Sequence, residues 1–341
     1  NLPPQRGKEI FHKHGRPGWL PKNTKKLAID VWLLYRACGT LDTRDRFMKS
    51  SSDKKVLPPV QASSPNNPAP RQVKDKYKWS QISRKDPPKR PANARIKDFC
   101  ELYSLLDEET VRQQASRCVQ CAQPQCVPCC PLKNRIQEWL ALAAEGKFLE
   151  AAAISQSTSN MPEICSRVCP QERLCEGGCV LNAYSDPVPI GAIEKFINEY
   201  ALAHQAAHIS RTPSNGLRVA VVGSGPAGMA CADELAIRGY DVVIFESQLQ
   251  AGGLLVNGIP SFKLEKKVVA RRLDILRQRG VAIRTGVTVG RDLSLQDLLG
   301  EFDAVFLGVG AQKPKPLGIP GSDLKGVHDA LPFLIEKNVG A

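Results

Sequence analysis

CVQCAQPQCVPCCP, residues 118–131, and RVCPQERLCEGGC, residues 167–179, lie within the stretch from Cys118 to Glu194, which holds nine of the chain's twelve cysteines. The first segment reads C-x2-C-x4-C-x3-C-P over Cys118, Cys121, Cys126, Cys130 and Pro131, and the second offers Cys169-Pro170, Cys175 and Cys179. Iron-sulfur cages are held by thiolates. In two-cluster ferredoxins, a run of closely spaced cysteines ending in Cys-Pro gives three ligands to one cluster and its last cysteine to the other. The same logic groups Cys118, Cys121 and Cys126 with one cysteine of the distant segment, Cys179 being favoured, and sends Cys130 to join Cys169 and Cys175. The second site is then one ligand short.

Two other readings of these cysteines compete. A pair of all-thiolate zinc sites needs only four sulfurs each, and the five histidines lie outside the stretch. A disulfide framework needs an oxidising compartment and usually a small secreted domain, whereas this chain is long and shows no signal-peptide pattern. The Cys-Pro pairs favour the iron-sulfur reading. Cys100, Cys129 and Cys165, with Cys38 and Cys231, are left over from the ligand count and are expected to serve packing.

A second motif begins near residue 217. LRVAVV reads as a strand, Gly223-Ser-Gly225-Pro226-Ala227-Gly228 follows at once, MACADELAIRG reads as a helix, and DVVIFE is a second strand ending at Glu246. The first glycine permits a tight turn, the second lets the backbone approach a pyrophosphate, and the third lets the helix pack on the strand. The helix start supplies amides and partial positive charge. Glu246 is placed to accept from a ribose hydroxyl. These residues predict a dinucleotide site, without separating FAD from NAD(P)H.

Taken with VPIGAIEKF, residues 188–196, the two cysteine segments resemble the N-terminal two-cluster domain of the glutamate synthase small (beta) subunit family. The N-terminal part of dihydropyrimidine dehydrogenase is similar. The resemblance implies Cys118, Cys121, Cys126 and Cys179 for one 4Fe-4S cluster. For the other it implies Cys130, Cys169, Cys175 and, as an oxygen ligand, Glu194. QAGGLL at 250–255, GIPSFKL at 258–264 and FDAVFLGVGA at 302–311 resemble the family's flavin-contacting segments. They imply FAD, with Gly253, Leu254 and Gly310 joining Gly223, Gly225, Pro226, Ala227, Gly228 and Glu246 as contacts. Only one G-x-G-x-x-G is present. An NAD(P)H site is therefore expected only through residues or a partner outside this segment, and the chain is expected to be a fragment.

The remaining sequence sets the frame. Helical spacing marks IQEWLALAAEGKFLEAAAIS, interrupted at Gly146, and AIEKFINEYALAHQAA. His204 and His208 at i and i+4 in the latter are expected to be surface histidines rather than a metal pair. No apolar run reaches the roughly 18 residues of a spanning helix; LAIDVWLL, residues 27–34, is too short and holds Asp30, so membrane insertion is not expected. The net charge of +13 is an N-terminal property: residues 1–99 hold 23 Lys and Arg against 8 Asp and Glu. Residues 1–76, with PPVQASSPNNPAPR at 58–71, read as a basic, mostly irregular extension. It lacks a nucleic-acid recognition motif, so a solvated or docking role is preferred and nucleic acid is not expected.

The fold expected is an α-helical double 4Fe-4S domain at 77–212. An α/β Rossmann-type FAD-binding domain, incomplete at its C-terminus, follows at 213–341. The function expected is a cytoplasmic electron-transfer flavoprotein module passing electrons from NAD(P)H through FAD and two clusters. Its partner would be a larger catalytic redox subunit of the glutamate synthase type, or a ferredoxin-like protein. The alternative is a non-catalytic electron-transfer or docking subunit that does not bind NAD(P)H.

Overall fold

A computed structural model describes residues 78–204, 211–313 and 315–339. The basic extension, Cys38, residues 27–34 and His208 lie outside the described residues. After short turns at Lys78–Gln81 and Ala92–Arg95, the first half is built from five helices: α1 (Glu108–Ser116), α2 (Ile136–Ala144), α3 (Phe148–Gln156), α4 (Pro162–Val168) and α5 (Ile190–Ala203).

Local chemistry sets several boundaries. Asp107 caps α1 by accepting from the Thr110 amide at 2.8 Å, and Glu108 and Glu109 sit in its first turn, where the helix dipole favours acids. The expected break at Gly146 is present: its φ of +78° ends α2 and lets α3 start at Phe148. Each helix buries one stripe at helical spacing. Ile136, Trp139, Leu140 and Ala143 of α2 meet Phe148, Ala151 and Ala152 of α3, and Ile190, Ile193 and Ile197 of α5, in one core. Trp139, Ile193 and Ile197 are fully buried there. Five of the cysteines in question, Cys118, Cys126, Cys130, Cys175 and Cys179, pack half-buried against that core. The second cysteine segment is not a long helix. It runs through two single 3-10 turns, Gln171–Arg173 and Val180–Ala183.

The second half is a four-stranded parallel sheet of order β3-β2-β1-β4: β1 (Arg218–Val222), β2 (Asp241–Glu246), β3 (Ala282–Thr285) and β4 (Ala304–Leu307). Register pairs Val221 with Ile244 and with Phe306. Helix α6 (Pro226–Ile237) links β1 to β2, α7 (Lys266–Gln278) precedes β3, α8 (Leu295–Glu301) precedes β4, and α9 (Ala330–Val339) follows. Of the segment 302–311, only Ala304–Leu307 forms a strand. Strand β3 carries polar Arg284 and Thr285 at the sheet edge, and no alternation announced it.

One apolar cluster joins the halves. Met161 and Ile164, at the start of α4, pack with Met229 and Ala232 of α6 and with Val268, Val269 and Leu276 of α7. Polar contacts reinforce the joint. Arg272 pairs with Glu163 through two contacts of 2.7 Å, both side chains buried. The Leu102 amide donates to the Phe262 carbonyl, and the Glu101 amide to the Glu265 carboxylate.

Candidate functional site: two thiol groups and a glycine-lined cavity

Cys118 and Cys121 flank a left-handed turn after α1, and Cys126 opens the short turn Cys126–Cys129. The distant segment reaches them because Gly178 has no side chain. A Cβ there would lie 2.6 Å from the Cys129 sulfur and 3.0 Å from the Gln125 carbonyl. This close approach brings Cys179 alongside, so that Cys118, Cys121, Cys126 and Cys179 line one small cavity with Leu140 and Ile190 behind them. The donor group matches the first expected ligand set.

Cys130, Cys169, Cys175 and Glu194 form the second group. Each of the three thiols is acted on electrostatically by the Glu194 carboxylate, and Cys175 and Cys169 also by Cys130; Cys165 sits beside them, bonding to Cys169 and acting on Glu194. Glu194 projects from α5, where Ser155 of α3 bonds to its carboxylate. Ser155 is itself held by Asn198 at 3.2 Å and Asn134 at 2.9 Å, both buried. Trp139 donates to Asn134 at 2.9 Å. The carboxylate that spacing alone could not nominate is thus seated in a polar network inside the helical core.

All eleven described cysteines are free thiols, so the disulfide reading is not met among the described residues. No group of three or more His, Cys, Asp and Glu there is drawn together tightly enough to hold a single metal ion. Seven sulfurs and one carboxylate supply the eight donors that two four-iron cages take. Burial pushes the Cys118 thiol up to about 11 and, with its neighbouring sulfurs, the Cys126 thiol up to about 12. Burial also raises the Glu194 carboxyl well above the ordinary range. Desolvated thiols suit ligands whose charge a metal cage would compensate.

Of the leftover cysteines, Cys231 packs in the core as expected and Cys165 is half-buried against it. Cys100 and Cys129 are exposed, which corrects the packing expectation for both. Cys100 lies in a loop and Cys129 ends the short turn Cys126–Cys129. His204 stacks on Tyr200 with ring centres 4.1 Å apart.

In the second half a cavity of about 700 Å³ opens at the carboxyl ends of the strands. Gly223, Gly225, Pro226, Ala227, Glu246, Gly253, Leu254 and Gly310 line it. Gly228 does not: a Cβ there would meet the Gly223 carbonyl at 1.9 Å, so this glycine serves the packing of α6 on β1. Gly225 is the reverse case. A Cβ at Gly225 would meet no atom within 4 Å and would project into the space a pyrophosphate needs. Gly253, at φ +52°, comes so near that a Cβ would lie 2.7 Å from the Gly225 Cα. Glu246 accepts from the Ser224 amide at 2.9 Å and the Gln248 amide at 2.9 Å. Burial works to raise its pKa, but these bonds and the Ser224 hydroxyl outweigh it and hold the carboxylate below its ordinary value.

Sequence reasoning missed the residues that tie these parts together. Arg117, fully buried, donates to the Pro187 and Asp186 carbonyls at 2.8 and 2.7 Å, fixing the first cysteine segment to the loop before α5. Glu176 accepts from Arg84 at 2.8 Å and from the Gly191 amide at 3.0 Å. Their only sequence signal was a charged residue beside a cysteine motif, which is not distinguishable from a solvated one.

A helical unit with two groups of four metal-type donors, joined to a parallel-sheet unit with a glycine-lined nucleotide cavity, defines an iron-sulfur oxidoreductase architecture. Residues 95–206 match the family described as dihydropyrimidine dehydrogenase domain II, 4Fe-4S cluster, and residues 217–337 match pyridine nucleotide-disulphide oxidoreductase. The chain is 45% identical over 260 residues to the glutamate synthase [NADPH] small chain of Escherichia coli, covering 76% of this chain and 55% of that one. It is 46% identical over 255 residues to that of Azospirillum brasilense, covering 74% and 53%, and 41% identical over 268 residues to that of Bacillus subtilis, covering 75% and 54%. The chain is thus similar over about three quarters of its length to glutamate synthase small chains, and it spans about half the length of the curated relatives it matches.

Proposed function

We propose that this chain is the electron-relay part of an NADPH-dependent glutamate synthase-type oxidoreductase. In this reading it holds one FAD and two 4Fe-4S clusters and delivers electrons to a larger catalytic subunit. Cys118, Cys121, Cys126 and Cys179 hold one cluster; Cys130, Cys169, Cys175 and Glu194 hold the other. When bound, the flavin exchanges a hydride's two electrons for single electrons that the clusters relay.

The chain's own residues position and insulate. Gly225 leaves room for the pyrophosphate, and the amides at the start of α6 face that space. Glu246 sets its carboxylate in the lining of the cavity, beside the place of the ribose in this reading. The α2, α3 and α5 core excludes water from both thiol groups, which raises the weight of every nearby dipole. The observation that carries the reading is the gathering of Cys118, Cys121, Cys126 and Cys179 around one small cavity, with five of the seven thiols packed against a single helical core. The boundaries that suit it are 77–212 for the cluster unit and 213–341 for the flavin unit, after the extension of 1–76. The nicotinamide site lies outside these residues in this reading. No described helix is long and apolar enough to cross a membrane, and free thiols in number suit the reducing cytoplasm proposed here.

Iron, acid-labile sulfide and flavin analysis of anaerobically purified protein tests this directly. About eight iron atoms with matching sulfide, and one FAD per chain, are expected; zinc without sulfide would overturn the proposal. In the protein carrying the rest of its relatives' length, NADPH added without oxygen is expected to bleach the flavin absorbance.

A further inference from the structure

The structure assigns to Gln120 a role that no ligand count contains: it is a positioning residue that raises the potential of the first cluster by directing amide hydrogens at the Cys118 sulfur. The inference rests on the reading of Cys118 as a cluster ligand. Three observations converge on it. The Gln120 carboxamide nitrogen lies 3.4 Å from Cys118 Sγ and 3.2 Å from the Gln137 carbonyl oxygen. A flipped amide would set oxygen against that carbonyl oxygen, so its two hydrogens are committed, one to each acceptor. The main-chain amide of Gln120 also donates to the Cys118 sulfur.

The backbone supplies the third observation. Gln120 has φ +52°, one of two non-glycine residues in the left-handed region among the described residues. Such a conformation costs on the order of 1–3 kcal/mol and persists where surrounding contacts hold it. Here Gln137 holds it, donating its own side-chain nitrogen to the Cys121 carbonyl at 2.6 Å while its carbonyl receives Gln120. The two glutamines lock the C-x2-C turn onto α2, and the lock aims two donors from one residue at one sulfur.

A reduced cage carries one more negative charge than an oxidised one. Donors on its sulfurs stabilise the reduced form more and move the potential upward. Gln120 therefore moves the potential of the first cluster upward relative to the same cluster without its donors.

The test is potentiometry followed by EPR on the anaerobically purified holoprotein, comparing the parent with Gln120→Met, Gln120→Gly and Gln137→Met. Gln120→Met keeps length and backbone strain but removes the side-chain donor, and Gln120→Gly removes both donor and strain. Both are expected to lower the potential of one cluster and leave the other in place. Gln137→Met loosens the turn that aims the donors while leaving both donors in place, and is expected to lower the potential of the same cluster by less than Gln120→Met does. An unchanged potential in Gln120→Met, or a shift confined to the other cluster, would overturn the assignment. Cys118→Ala separates the two claims: if it spares both EPR signals, the ligand reading fails. If it abolishes one signal while Gln120→Met shifts nothing, only the role of Gln120 fails.

Discussion

At Glu194 the side chain alone decides what the second group can bind. Three thiols would leave a four-iron cage with an open corner, and the carboxylate held by Ser155 fills it in the proposed arrangement. Glu194→Ala is expected to change the EPR signal of one cluster and spare the other, whereas Glu194→Gln, which keeps an oxygen donor, changes it less. Loss of both signals in Glu194→Ala would mean unfolding rather than lost ligation. The glycines offer a second contrast at this scale. Gly225→Ala places a methyl in open space, so its melting temperature is expected to match the parent while flavin content falls. Gly228→Ala drives the same methyl into the Gly223 carbonyl, and overpacking of this kind costs about 1–3 kcal/mol. Flavin extraction beside a thermal melt distinguishes the two.

Between elements, the joint of α4 with α7 is the feature with the clearest energetic consequence. Glu163 and Arg272 have side-chain exposures of 2% and 7%, so removing one partner strands a charge that water cannot reach. Arg272→Met is expected to destabilise by about 3–5 kcal/mol. The double change Glu163→Leu with Arg272→Met is expected to recover much of that, because no uncompensated charge remains. Urea unfolding of the two variants checks it: equal losses in single and double variants would mean that packing, not charge, holds the joint. The cysteine segments depend on elements in the same way, since Gly178 and Arg117 seat the second segment against the first.

For the whole molecule, the junction carries a pH dependence. Burial works to raise the Glu199 carboxyl, but hydrogen bonds and charge from Arg271 across the joint and from Arg167 on α4 outweigh it, leaving the pKa below the ordinary glutamate value. A depressed carboxylate contributes stability that is fully present above its unfolded pKa of about 4.3. That contribution is lost as pH falls through the lower folded value. The parent is therefore expected to melt above Glu199→Gln at pH 6, with the gap closing as pH drops below about 4. A gap that stays constant with pH would remove Glu199 from the account. The same junction sets the two thiol groups and the nucleotide cavity in one body, which is what an electron relay requires.

Much of this was legible in residue order. Cysteine spacing with Cys-Pro punctuation marked the proposed ligands, and strand, glycine turn, helix and terminal acid marked the glycine-lined cavity, because each is a local pattern whose chemistry depends on neighbours in the chain. The break at Gly146 was legible for the same reason. Glu194 could be nominated only by resemblance, and β3, the outward positions of Cys100 and Cys129 and the buried pair Glu163–Arg272 carried no readable signal. Their meaning depends on which distant surface each one meets. Spacing along the chain determined which atoms can bind; packing of α3 and α5 around Glu194, and of α4 on α7, decided which of them face one another, since burial and long-range pairing exist only once the chain has closed on itself.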